Sequence, residues 1–145
     1  MQYVITQRNL KIMKLSESIK IGVKTLYLSE QSDPKANRFV FAYSIEIHNA
    51  GDEAVELLSR YWHIKDDNEK VQEVSGEGVV GQKPLILPGQ AFEYTSGAII
   101  GTETGVMHGS YEMLAASGRK FNAPIAPFLL AKPRTIHKRL RTSAT

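Results

Sequence analysis

From Arg38 to Asn49 apolar and polar side chains alternate without a break. Phe39, Phe41, Tyr43, Ile45 and Ile47 point one way; Val40, Ala42, Ser44, Glu46 and His48 point the other. A sustained period of two belongs to a β-strand with one face against a core. The signature recurs along the chain. Ile19, Ile21 and Val23 alternate with polar or small residues, and Leu26 and Leu28 continue the pattern after a bulge. Val55 to Ile64, Val71 to Val74 and Ala91 to Ile100 read as further strands, the last with Phe92 and Tyr94 on one face. Val106 to Ala116 sets Met107, Tyr111, Met113 and Ala115 against His108, Ser110, Glu112 and Leu114. Turn signals separate these runs: EQSDPKANR after Leu28, Asn-Ala-Gly-Asp at 49–52, Asp66-Asp67-Asn68, Pro88-Gly89 and Ser117-Gly118. Leu85 to Leu87, bounded by Pro84 and Pro88, and Phe121 to Leu130, interrupted by Pro124 and Pro127, read as edge strands. Proline lacks the N–H that a central strand must donate.

Seven or eight short strands with no strong internal helix predict an all-β fold, an antiparallel β-sandwich of two sheets. Phe41, Tyr43, Ile45, Ile47 and the single tryptophan, Trp62, are its expected core. Arg60 falls on the same strand face as Trp62, near the rim of the indole. Residues 1–18 show weak periodicity and read as a short helix or a flexible arm that the core does not obviously need. The domain is therefore placed at 19–133, between an N-terminal extension, 1–18, and a basic tail, 134–145.

A chain of 145 residues with 42% hydrophobic content suits one globular domain with a real core. It has no cysteine, which excludes disulfides, thiolate metal sites and cysteine nucleophiles. The N-terminus lacks an apolar stretch followed by a small-residue cleavage site, and no apolar run approaches membrane length. A soluble cytoplasmic protein is expected. The net charge of +3 hides an asymmetry: every acidic residue precedes Met113, while Lys132, Arg134, Lys138, Arg139 and Arg141 crowd the C-terminus. The tail has no aromatic residue for base stacking, so nucleic acid is not the expected partner.

The motif closest to a known chemistry is VSGEGVVGQKPLILP, residues 74–88, which spaces Gly76, Gly78 and Gly81 as G-x-G-x-x-G. Pro84, Pro88 and Gly89 follow too soon for the helix that a dinucleotide site needs. Two readings stay open. The loop is a backbone nest for phosphate, with Lys83 or Arg60 supplying charge, or it is a sandwich corner where glycine supplies positive φ. His48, His63, His108 and His137 show no spacing that converges three or four ligands, so no metal or other cofactor is expected. There is no G-x-S-x-G elbow and no recognisable carboxylate pair. No catalytic residue is assigned, and the chain is not expected to be an enzyme.

The blocks FAYSIEIHNAG (41–51), LLSRYWHIKD (57–66), VSGEGVVGQKPLILPG (74–89), FEYTSG (92–97), GVMHGSYEM (105–113) and IAPFLLAKP (125–133) together resemble the ApaG family. The resemblance covers roughly Ile19 to His137. It implies an immunoglobulin-like or fibronectin type III-like sandwich and a protein-binding role. The several possible strand edges of an all-β domain, with no long charged edge strand to block pairing, suit a protein partner or a second copy of the chain. The resemblance also implies two alternatives: a nucleotide- or polyphosphate-binding protein using the GEGVVG loop, and a protein linked to magnesium and cobalt homeostasis.

Overall fold

The computed structural model describes residues 6–134. Eight strands follow one N-terminal helix: α1 (Gln7–Ser18), β1 (Ile19–Tyr27), β2 (Phe39–Asn49), β3 (Val55–Asp66), β4 (Val71–Glu77), β5 (Leu85–Ile86), β6 (Ala91–Ile100), β7 (Thr104–Ala115) and β8 (Lys120–Ala131). Every pairing between them is antiparallel. One sheet runs β1-β2-β6 and the other β4-β3-β7-β8, with β5 joining β3 on the same edge as β4. This is the β-sandwich that the alternation predicts. No described helix is long and apolar enough to cross a membrane.

The inner faces carry the residues that the pattern singles out. Phe41, Tyr43, Ile45, Ile47 and Trp62 are all buried. Trp62 meets Tyr43, Tyr111 and Phe128 edge to face at ring distances of 5.3, 6.3 and 5.8 Å. Such tilted pairs set the positive edge of one ring on the negative face of another. β8, which contains Pro124 and Pro127, and β5, which Pro84 and Pro88 flank, both lie at sheet edges.

Three segments differ from the sequence reading. The N-terminal segment forms the short helix its sequence allows, α1, and differs in packing against the core. Thr6 caps the helix by accepting the Asn9 N–H at 3.1 Å, Leu15 is buried in the core, and the Ser16 hydroxyl donates to the Asn122 carbonyl of β8. Residues 1–5 and the tail from 135 onward, where most of the predicted basic tail falls, lie outside the described residues. β4 continues past Val74 to Glu77, because its ladder with β3 carries the chain through Ser75 and Gly76.

The third difference is Asn49. It ends the strand and opens a turn, as its sequence indicates, and the difference lies in its side chain, which is fully buried. Its side-chain amide donates to the carbonyls of Glu53 and Ile86 at 2.7 and 2.9 Å, and its side-chain oxygen accepts the Gly51 N–H at 3.0 Å. Its backbone exchanges bonds with the Pro88-Gly89 turn, donating to Gln90 and accepting from Gly89. One asparagine thus ties the β2–β3 turn to β5 and to the Pro88-Gly89 turn at one end of the sandwich.

Tyr94 and Tyr111 meet hydroxyl to hydroxyl inside the core. Burial pushes the Tyr94 hydroxyl up to about 12 and drives Tyr111 upward as well, while the neighbouring Arg60 pulls both back. Below pH 10, the ordinary tyrosine value, folded and unfolded chains both keep these protons and the contribution to stability is whole. Between pH 10 and about 12 the unfolded chain releases its protons while the folded one holds them, so stability falls through that window. Urea melts should give a midpoint that is flat across pH 8–9.5 and drops above pH 10. A Tyr94→Phe variant should lose less over that window.

Candidate functional site: the glycine corner and the free edge of β4

The glycine-rich run begins inside β4 and ends in a two-residue turn. Gly78 donates its N–H to the Leu58 carbonyl at 2.9 Å, while Val79 and Gln82 exchange both backbone bonds at 2.8 and 2.9 Å. Val80 and Gly81 form the tip of that turn, with φ of 43° and 77°. Both positive values belong to a type I′ hairpin turn. At Gly78, φ is 61°, and a Cβ there would overlap the Gln82 carbonyl oxygen. At Gly76 a Cβ would come within 2.8 Å of both terminal nitrogens of Arg60. These two glycines are therefore needed for close backbone approach and for the seat of an arginine.

Arg60 fills that seat. Its guanidinium donates to the carbonyls of Glu77 and Gly78 at 3.1 and 3.0 Å, clamping the end of β4 to β3. It falls on the strand face of Trp62, as the sequence suggests, and its charge favours the ionised form of Tyr43 and Tyr111, the tyrosines against the indole. Lys83 lies 3.5 Å from the Glu77 carboxylate at the exposed surface. The five residues of the phosphate reading, Gly76, Gly78, Gly81, Lys83 and Arg60, are thus brought to one corner. Their polar groups are directed largely at the chain's own backbone and at Glu77.

Beyond the corner lies a feature whose strand the sequence reading cut short. The Asp66 N–H donates to Lys70 at one end of the β3–β4 ladder, and the Gly78 N–H donates to Leu58 at the other. In an antiparallel ladder, bonded and non-bonded pairs alternate. Between those two fixed bonds, Gln72, Val74 and Gly76 turn their backbone groups toward β3, opposite Ile64, Trp62 and Arg60. Val71, Glu73, Ser75 and Glu77 turn theirs outward. Among the described residues no strand pairs with that side of β4. Among the described residues only the Glu77 carbonyl has a partner there, Arg60. All of β4 except Gly76 is exposed, and Val71 and Val74 are exposed apolar residues on it.

The outer face beside this edge is polar and aromatic. The Tyr61 hydroxyl donates to the Glu73 carboxylate at 2.7 Å, a bond that holds its proton and raises its pKa. His63 stacks on His108 across β3 and β7, with ring centroids 4.7 Å apart. Ser59 donates to Glu112 at 3.3 Å. Ser59, Tyr61, Ser75, Ser110 and Glu112 line an open groove of about 410 Å³. His108 and Glu112 share a strand face, as the alternation indicates. Among the described residues no three His, Cys, Asp or Glu side chains gather as metal ligands. Asp66 accepts the backbone N–H groups of Asn68 and Lys70 at 2.8 and 3.0 Å, which shapes the β3–β4 hairpin tip.

Comparison with known proteins agrees with this architecture. The ApaG domain family model matches residues 29–115. Protein ApaG of Thiobacillus denitrificans is 56% identical over 119 residues, spanning 82% of this chain and 94% of that protein. Protein ApaG of Pseudomonas syringae is 51% identical over 119 residues, spanning 82% and 94%. A crystal structure of a Bordetella pertussis protein named as an ApaA protein superposes with a TM-score of 0.78 at 49% identity, covering 81% of this chain and 95% of that one. With a family model over more than half of its length and relatives at about half identity over most of it, this chain belongs to the ApaG domain family.

Proposed function

We propose that this chain is a non-enzymatic binding module that takes an extended strand of a protein partner on the free edge of β4. The observation that supports this reading is the outward row of backbone groups at Val71, Glu73 and Ser75, on a strand that is exposed almost throughout. An extended segment laid along such an edge gains main-chain hydrogen bonds, and the side chains alongside select its sequence. Here the flanking side chains are Glu73, Glu77 and Tyr61 on one face and Val74 on the other, which favours a partner strand carrying basic and apolar residues in alternation. A nucleotide at the glycine corner is a weaker reading, because Gly78, Val79 and Gln82 spend their N–H groups on the chain's own carbonyls.

Substitution at Ser75 tests the proposal. Proline there removes an outward N–H and leaves the bonds of the β3–β4 ladder in place. Extended peptides selected from a random library on the wild-type chain should bind Ser75→Ala normally. They should lose about tenfold or more in affinity for Ser75→Pro, since several edge bonds fail together. Equal binding by a folded Ser75→Pro chain would contradict the reading.

A further inference from the structure

We propose that the partner strand can be β4 of a second copy, paired antiparallel about a two-fold axis that passes beside Val74. The inference rests on reading the β4 edge as the binding element, and it fixes the register. Outward-facing residues must oppose outward-facing residues, so only registers that shift in steps of two are open. Centring the axis on Glu73 sets Glu73 against its own copy. Centring it on Ser75 sets Glu73 against Glu77. Both place like charges directly opposite each other, which destabilises a strand pair.

Centring on Val74 avoids every such conflict. Glu73 then faces Ser75 of the second copy, and Val71 faces Glu77. This is also the register in which Val71–Glu77 overlaps along its whole length. Val74 meets Val74 of the second copy at a non-hydrogen-bonded position, where side chains approach most closely. Val74 is 40% exposed in the single chain, so the pairing gives this apolar side chain a partner. The two five-stranded sheets become one continuous sheet, and the unpaired edge is covered.

The absence of cysteine from the sequence makes the register directly readable. At the axis, Cα atoms about 4.5 Å apart fall inside the span of a disulfide, whereas residue 73 and its copy lie diagonally, beyond about 7 Å. Val74→Cys, Glu73→Cys and Ser75→Cys are compared under mild oxidation at equal concentration. The expected result is about tenfold or more disulfide-linked dimer from Val74→Cys than from either neighbour, as the distances dictate. Light scattering of the unmodified chain should show dimer at high micromolar concentration. Val74→Lys, at an exposed position that tolerates the change, should shift it to monomer. Equal cross-linking at all three positions, or a monomer mass for the unmodified chain at that concentration, overturns self-pairing. In those cases, selected peptides that still bind and are still blocked by Ser75→Pro leave the edge-binding reading standing; peptides indifferent to Ser75→Pro remove it too.

Discussion

Gly109→Ala is expected to lose about 3 kcal/mol of stability or to fail to fold, the upper range of what overpacking a core costs. Gly109 lies in β7 directly opposite Trp62 of β3. A Cβ at this position would overlap the Tyr61 carbonyl oxygen and lie 3.1 Å from the Trp62 ring. The carbonyl is backbone in the central pair of the sheet and cannot step aside. The indole cannot either, since Tyr43, Tyr111 and Phe128 hold it on three sides. In a chain of this size that loss lowers the Tm by roughly 10 °C. A thermal melt of Gly109→Ala within about 2 °C of wild type would show that the sheet relaxes around the methyl group and that the contact has been misjudged.

Asn49→Asp should cost a similar amount, about 3 kcal/mol, through a different mechanism. The change replaces a donor with an acceptor where the carbonyls of Glu53 and Ile86 already supply acceptors. The site is fully buried, so water cannot stand in. A buried carboxyl facing two carbonyls holds its proton more tightly than in the unfolded chain. The penalty relative to wild type is therefore smallest below about pH 4 and grows as pH rises above the ordinary aspartate value. Urea melts at pH 4 and pH 7 separate this from simple loss of packing, which would give the same deficit at both.

The two positions show how far this fold was readable from its residues. The strands β2 and β6 stand out because each alternates on its own, and that property is local. The burial of Trp62 and its shared face with Arg60 follow from the same count along β3. Gly109 carries no such signal. Its meaning comes from the residue opposite it on another strand, and cross-strand register is not encoded in the local pattern. Asn49 misleads for a related reason. Asn-Ala-Gly-Asp has the composition of a turn, and the turn is there, but the backbone that needs the Asn49 side chain lies up to 37 residues away, in β5. The helix α1 has few apolar residues, and its docking shows only once β1 and β8 provide the surface that receives Leu15 and Ile12.

The candidate site divides along the same line. Gly76, Gly78 and Gly81 attract notice in the sequence because glycine spacing is visible there. The structure gives Gly78 and Gly81 a backbone role at positive φ and Gly76 a steric one beneath Arg60. The free edge of β4 has no compositional mark. Val71 to Glu77 alternates weakly, and it becomes an edge only because β5, which pairs the same side of β3, is spent after Leu85 and Ile86 at the far end. A site defined by unpaired backbone is a property of topology, so it appears only when the strands are in place.

Amide hydrogen exchange along β4 tests the account most directly, recorded on the dilute chain and on the chain saturated with a selected peptide. In the dilute chain Gln72, Val74 and Gly76 should be protected by β3, while Val71, Glu73 and Ser75 exchange at nearly the rate of an open chain. On binding, Glu73 and Ser75 should slow by about a hundredfold or more as their N–H groups acquire acceptors, with the first set unchanged. Saturated complex in which Glu73 and Ser75 still exchange freely, with new protection elsewhere on the sandwich, would contradict the assignment of β4 as the binding edge.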